Sequence, residues 1–306
     1  MASVTLVESA KLALNQLIAG VIENVITVDQ MFEVIPFDGI DGNALQYSRE
    51  AVLGDVETSA VDATITATAA ATFTSVTSSL TTIIGNAEVN GLIQATRSGS
   101  GNDQTAIQIA SKAKSAGRKW RELFITGDGT GDDFTGISAL CAAGQTITPS
   151  TNGDALTFDI LDNLIDLILD KDGQVDYFLM AGRTRRAYFA LLRALGGAGI
   201  GEVVTLPSGA EVAAYRGVGV FRNENIPINQ TQGSSNDATE VFAGTLDDGS
   251  RQHGFAGLTA QNAAGIMVED VGIAEAKDNR IWRVKWYSGL ALFSELGLAC
   301  APGIIP

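Results

Sequence analysis

Asn102–Thr126 reads NDQTAIQIASKAKSAGRKWRELFIT, and the spacing of its apolar residues predicts one amphipathic helix roughly 35 Å long. Asp103 or Asn102 offers a side-chain oxygen to the unpaired amides of the first turn, and Gly127 stands where a left-handed C-cap costs least. At about 100° per residue, Ala106, Ile109, Ala110, Ala113, Ala116, Trp120, Leu123 and Phe124 share one face, the stripe expected of a helix lying on a sheet. Lys114, Arg118 and Arg121 line one edge of that stripe and Lys112 and Lys119 the other, so their methylene stems can follow the apolar face while the charges reach outward. The five cations admit two readings: a phosphate-binding face, or a rim that is solvated or meets carboxylates of this chain or of neighbouring copies. A net charge of -15 and the lack of a recognisable nucleic-acid module weigh against the first. The second fits a protein that packs against itself.

Around this helix lies enough chain for one large domain or two: 306 residues, 45% hydrophobic, with mean hydropathy +0.17. The acidic balance argues against a DNA-coating role, because affinity for a duplex comes chiefly from cations that neutralise phosphates. Cys141 and Cys300 have neither CxxC spacing nor histidine neighbours. That pattern speaks against a zinc site, excludes a disulfide framework, and leads us to expect two buried, reduced, small apolar residues. The start, MASVTLVESAKL, lacks a basic leader, and no run approaches the ~18 apolar residues of a membrane span, so the expectation is a soluble protein made in the cytosol.

Taken in order, Thr5–Gly20 opens with a capping box, Thr5 with Glu8, and carries Val7, Ala10, Leu14, Leu17 and Ile18 at helical spacing. Such a face packs either on its own domain or on an adjacent subunit. Val21–Pro36 reads as largely extended. From Ala44 to Ile84 the period becomes two: Thr64, Thr66, Thr68, Thr72 and Thr74 alternate with Ile65, Ala67, Ala69, Ala71 and Phe73. With Asn43–Ala51 as its partner and the acidic GDVETSAVD between them, the simplest picture is a long hairpin with an exposed tip. A ribbon this poor in large apolar residues cannot build its own core and must lie on another surface.

Downstream, Thr157 caps a second amphipathic helix with Phe158, Leu161, Leu164, Ile165, Ile168 and Leu169 on its buried face, ended by Asp172-Gly173. Val175–Met180 reads as a strand and Gly182–Leu195 as a helix carrying Arg183, Arg185, Arg186 and Arg193, a unit of an α/β subdomain. Strands are expected at Glu211–Tyr215, Val218–Arg222 and Glu240–Ala243, and then in GIMVEDV, RIWRVKWYS and ALFSELGLA, where Trp282, Val284 and Trp286 share a face.

Signatures of chemistry fail one after another. Asp128, Thr130 and Asp132 begin like a calcium loop, but position six is Asp133 and position twelve Ala139. GGAGIG at 196–201 follows a helix rather than a strand and lacks dinucleotide-loop spacing. There is one histidine, His253, in a glycine-containing turn, and no GxSxG, Walker A or HExxH. No catalytic, cofactor-binding or metal-binding residue is assigned, and an enzyme is not supported.

The order of parts resembles the major capsid proteins of tailed bacteriophages, the Hong Kong ninety-seven type. LIAGVIENVITVDQMFEVIPF resembles the family's N-terminal arm; GNALQYSRE with the threonine-rich return resembles its extended loop, the E-loop. LTTIIGNAEVNGLI, the long helix and LFITGDGTGDDFTGI resemble the peripheral domain, its spine helix and the crossing to the axial domain. DYFLMAGRTRRAYFALLRALGG and LPSGAEVAAYRGVGVFRNENIP resemble the axial core, and WYSGLALFSELGLACAPGI the terminal strands. The resemblance implies an α+β fold with an arm at 1–36, an E-loop at 37–84, a peripheral domain at 85–136 and 259–306, and an axial domain at 137–258.

It further implies a structural shell subunit without cofactors, meeting copies of itself as hexamers and pentamers around packaged DNA that it does not read by sequence, with no membrane. Separate scaffolding, portal and decoration proteins would be partners, since about thirty-five residues before the hairpin are too few for a fused scaffold. The location implied is the virion capsid, with assembly in the host cytoplasm. Interface candidates are Arg49, Glu50, Asp55, Glu57 and Asp62 on the hairpin, Lys114, Arg118 and Arg121 on the long helix, and Gly197 and Gly199 in the axial loop. The hairpin carries no lysine for a covalent link between subunits; its only cation is Arg49, and a guanidinium is a poor nucleophile. A cellular nanocompartment shell is the alternative within this fold, and a soluble α/β enzyme using carboxylates the alternative outside it.

Overall fold

The computed structural model describes residues 30–97, 103–171, 173–195 and 202–306; the proposed helix at Thr5–Gly20 and the glycines Gly197 and Gly199 lie outside them. QMFEV, expected as extended, is instead one helical turn, Gln30–Val34, with Met31 buried beneath it. Strands β1 (Phe37–Ile40), β2 (Ala44–Val52), β3 (Thr72–Ser79) and β4 (Thr81–Asn90) follow. A short helix, Gly91–Arg97, precedes the long helix, Gln104–Thr126. The chain then crosses through Ile137–Leu140 and β5 (Asp154–Ala155) to the acidic helix Phe158–Leu169, β6 (Tyr177–Met180) and the arginine-bearing helix Gly182–Ala194. Next come β7 (Val203–Thr205), β8 (Glu211–Tyr215), β9 (Val218–Arg222), β10 (Gln230–Gln232) and β11 (Ser235–Gly244), and finally β12 (Phe255–Ala260), β13 (Met267–Ile273), β14 (Asn279–Leu292) and β15 (Leu298–Ile305).

Asp103 is the N-cap of the long helix, as the sequence requires, accepting bonds from the amides of Thr105 and Ala106. The other end differs from expectation. Gly127 has φ -58°, not a left-handed value, and it is needed for room: a Cβ there would run into the carbonyls of Phe134 and Leu123. Of the expected stripe, Ala116, Trp120, Leu123 and Phe124 are buried and Ile125 joins them, while Ala106 and Ala110 at the other end stay exposed. Lys112 lays its stem over β4 at Gly85, as the amphipathic reading required.

β4 pairs with β14 along ten residues, Thr81↔Ser288 to Asn90↔Asn279, and this ladder carries the long helix. With β12, β13 and β1 it makes a five-stranded sheet. Two segments counted with the hairpin from sequence therefore belong to the body: β1 lies parallel to β12, and Thr81–Ile84 is the start of β4. Both carry residues that the body buries, Ile40 and Ile83, which the exposed hairpin does not.

The second sheet has eight strands in the order β5-β15-β11-β6-β9-β8-β7, with β10 on β11. Tyr177–Met180 shows why its strands read as unbroken apolar runs: Tyr177 and Leu179 face the core beneath the long helix, whereas Phe178 and Met180 face the two helices on the other side. ALFSELGLA is not one strand. Its first two residues finish β14, a turn at Glu295–Gly297 intervenes, and β15 crosses into the eight-stranded sheet instead of staying beside the long helix. In the acidic helix Thr157 caps Ile160 as expected, but Leu169 is half exposed and Ile160 is buried in its stead.

The course of β15 also corrects the cysteine reading. Ile147 donates to the Cys300 carbonyl at 2.8 Å, which draws the 141–147 segment alongside β15, and Cys141 and Cys300 are bonded as a disulfide with Cα atoms 6.4 Å apart. At 159 residues of separation, spacing in the sequence could not show this.

Beneath the arginine-bearing helix, burial and then Glu202 push Tyr188 up to about 12, and burial and then the Asp162 hydrogen bond push Tyr215 up to about 12. Burial raises Tyr177 as well. A tyrosine whose folded pKa exceeds its unfolded value near 10 keeps its proton longer in the native state. Its stabilising effect is complete below pH 10 and is lost as pH rises through about 12. We expect alkaline unfolding in that window, with tyrosinate absorbance rising together with loss of near-ultraviolet dichroism. A full tyrosinate signal near pH 10 from a still-folded chain would contradict the packing described.

Candidate functional site

What the fold leaves over is the hairpin. β2 and β3 pair from Ala44↔Ser79 to Val52↔Thr72 as a two-stranded sheet of their own. The ladder starts at Thr72, not at Thr64 as the threonine alternation suggested. Residues 53–71 continue outward without a regular ladder, held by the Asp55 amide on the Ala69 carbonyl at 3.0 Å and by Glu57, which accepts from the Thr66 amide at 2.7 Å and from its hydroxyl. Those bonds, the hydroxyl first, hold Glu57 below the usual carboxylate range. The turn at the tip closes through Ala63 to Ala60 at 3.2 Å, with Asp62 at φ 65°.

Exposure on this ribbon runs against its chemistry. Val52, Leu53, Val56, Val61, Ile65 and Phe73 all face solvent, Val56 and Val61 at 89% and 94%. Large apolar residues gathered on one projecting element mark a contact surface rather than a random scatter. Glu50, Asp55, Glu57 and Asp62 are exposed among them, an acidic fringe on an apolar ribbon. The sequence reading noticed the alanines and threonines and undervalued these six.

Arg49 behaves differently from its neighbours. Its side chain is only 15% exposed and is turned inward: Nε donates to the Phe293 carbonyl at 2.9 Å, Nη2 to the Leu292 carbonyl, and Nη1 pairs with Glu295. The structure thus places this interface candidate on its own subunit. Leu45, Tyr47 and Arg49 share one face of β2. On the long helix Lys114 and Arg118 are exposed and Arg121 is half-buried; Lys119 pairs with Glu122 at 3.4 Å. The hairpin and helix candidates are not gathered into one pocket. His253 is exposed, and Asp128 spends one oxygen on the amide and hydroxyl of Thr130, an ordinary local turn. Among the described residues no group of three or more histidine, cysteine or carboxylate side chains could hold a metal.

No family model matches the chain, and no curated protein sequence matches it. Solved structures do, over nearly their whole lengths. The chain of the holo-SrpI encapsulin complex from Synechococcus elongatus PCC 7942 is 18% identical with a TM-score of 0.74, covering 99% of this chain and 97% of that one. The capsid of a native GTA particle is 13% identical at TM-score 0.67, covering 95% of each. The capsid of Myoviridae phage XM1 is 12% identical at TM-score 0.64, covering 95% of this chain and 97% of that one. The likeness in structure runs over 95–99% of this chain, across both sheets, the long helix and the hairpin: it has the Hong Kong ninety-seven type capsid fold.

Proposed function

We propose that this chain is a shell subunit, the major capsid protein of a tailed bacteriophage, which self-assembles into an icosahedral head around double-stranded DNA. The observation that carries the reading is the hairpin, whose six exposed large apolar side chains are left uncovered among the described residues. Covering each would contribute about 1.5–3 kcal/mol, on the order of 10 kcal/mol in all, which is close to the ~4–15 kcal/mol that association costs. A pair of subunits is therefore weakly held, and a closed shell, where every subunit gives and receives such a contact, is stable. That balance suits assembly, because misplaced subunits can leave. Hexamers and pentamers of this chain are the units proposed, with scaffolding, portal and decoration proteins as separate partners and no catalytic role. DNA inside would be held by confinement, without sequence-specific contacts, by a chain of net charge -15.

Likeness to the SrpI encapsulin favours a second reading, a cellular nanocompartment shell. Particles carrying this chain, isolated from their source and treated with nuclease, separate the two: protected double-stranded DNA of discrete length is expected for the head, and a protein cargo without DNA would transfer the reading to the compartment.

Strength in such a shell comes from non-covalent overlap. Residues 37–84 contain no lysine, and the two cysteines are bonded to each other within one chain. Particles boiled in detergent without reductant should run as a single band near 31.9 kDa. A ladder of multimers would overturn this point.

A further inference from the structure

The root of the hairpin is fastened in a way that its tip is not. Along β2, Leu45 and Tyr47 pack with Leu80 against Ile40, Ala256, Leu258, Ala291 and Phe293. The Tyr47 hydroxyl donates to the Leu292 carbonyl at 2.5 Å, and its ring lies 5.4 Å from that of Phe293. Arg49 stands 5.7 Å over the Tyr47 ring and, with three nitrogens, reaches the carbonyls of Leu292, the last residue of β14, and of Phe293 just beyond it, and the carboxylate of Glu295 in the turn that follows. Next on the same face of β2, Ala51 is exposed, and so is Thr74, the partner of Arg49 across the ladder. Arg49 is thus the outermost point at which β2 is held to the body.

We propose that Arg49, seated by Tyr47, sets the direction in which the hairpin leaves the subunit, and so acts as a positioning residue for shell closure. The inference rests on the shell reading above. Its physical basis is leverage: from Arg49 to the turn at Asp62 the strand spans at most ~40 Å at about 3.3 Å per residue. A swing of about 10° at the root would then displace the tip by ~7 Å, more than the ~4.8 Å between paired strands. Contacts on a neighbouring subunit would fall out of register. A guanidinium suits the task because its planar fork meets three acceptors at fixed angles, whereas an ammonium meets them one at a time. The apolar cluster under the root is complete without Arg49, so its loss should leave the subunit folded.

The test uses Arg49→Lys, Arg49→Gln and Glu295→Gln in the full chain, with nitroxide labels at Ser59→Cys on the hairpin and Ser111→Cys on the long helix, both exposed positions. In the unassembled subunit, wild type should give one narrow label-to-label distance. Arg49→Gln should broaden it, and Arg49→Lys should lie between, since losing charge-assisted bonds lowers the fastened population about tenfold or more. Melting temperature should move little in all three. Closed shells should give way to open or irregular sheets in the order Gln, then Lys, at position 49, with Glu295→Gln mildest because both carbonyls remain. An unchanged distance distribution in Arg49→Gln would overturn the proposal, and so would uniform wild-type shells from it. If the wild-type chain forms no shells, the shell reading fails, while the distance measurement still decides whether Arg49 sets the hairpin's direction.

Discussion

A chain in which Asn-Gly replaces Leu53–Ala71 is expected to fold, remain soluble and form no closed shells. Val52 and Thr72 are the outermost ladder pair, so a two-residue turn can join them with the twist the hairpin already has. None of the removed side chains is buried, and the root contacts of Leu45, Tyr47 and Arg49 are kept. Surface changes of this kind alter stability little, so melting should stay within about 2 °C of the parent. Assembly should be lost outright, because four of the six exposed large apolar residues, Leu53, Val56, Val61 and Ile65, leave with the segment. Sedimentation of the variant checks this: particles of normal size would show that the hairpin tip is dispensable, and the account of how subunits hold together would be wrong.

The opposite split is expected of Trp120→Ala. Trp120 has no exposed surface and stands in a cluster of rings: Phe124 stacked at 5.4 Å, Trp286 at 5.8 Å, and Phe32 edge-on at 5.3 Å. Its Nε1 donates to Ser288 Oγ at 2.8 Å, and that hydroxyl passes the chain of bonds to the Leu258 carbonyl. Truncation opens a cavity where the long helix, the Gln30–Val34 turn and β14 meet. The cost should be about 3–5 kcal/mol, or roughly 5–15 °C in melting temperature. Trp120→Phe should restore most of the packing but leave Ser288 without its donor, costing about 1 kcal/mol. Calorimetry of both variants tests the helix register, and an unchanged melting temperature for Trp120→Ala would refute it.

The long helix was legible because every signal that defines it is local: a cap at Asp103, a 3.6-residue stripe and a glycine after the last turn. The same holds for the acidic helix under Thr157 and for β8 and β9, whose bounds match the sequence reading. What could not be read depends on partners far along the chain. β1 and the start of β4 are counted within the hairpin segment, 37–84, until β12 and β14 arrive some two hundred residues later to pair with them. β15 leaves one sheet for the other at a turn marked only by Glu295–Gly297, and its arrival is what joins Cys300 to Cys141.

For the candidate site, the hairpin itself was visible through its period of two, and its exposure followed from the want of a core. The role of Arg49 was not, since its acceptors are backbone carbonyls at Leu292 and Phe293, and a carbonyl leaves no mark in the identity of a residue. Nor did threonine alternation show where pairing stops: Thr64 and Thr66 continue the pattern that β3 takes up only at Thr72.

The most direct measurement of the central claim is the mass and shape of the purified chain by light scattering and electron microscopy. Closed, megadalton shells built from the 31.9 kDa subunit are the result this account predicts. A small compact oligomer, stable at high concentration and without curved sheets or rings, would contradict it.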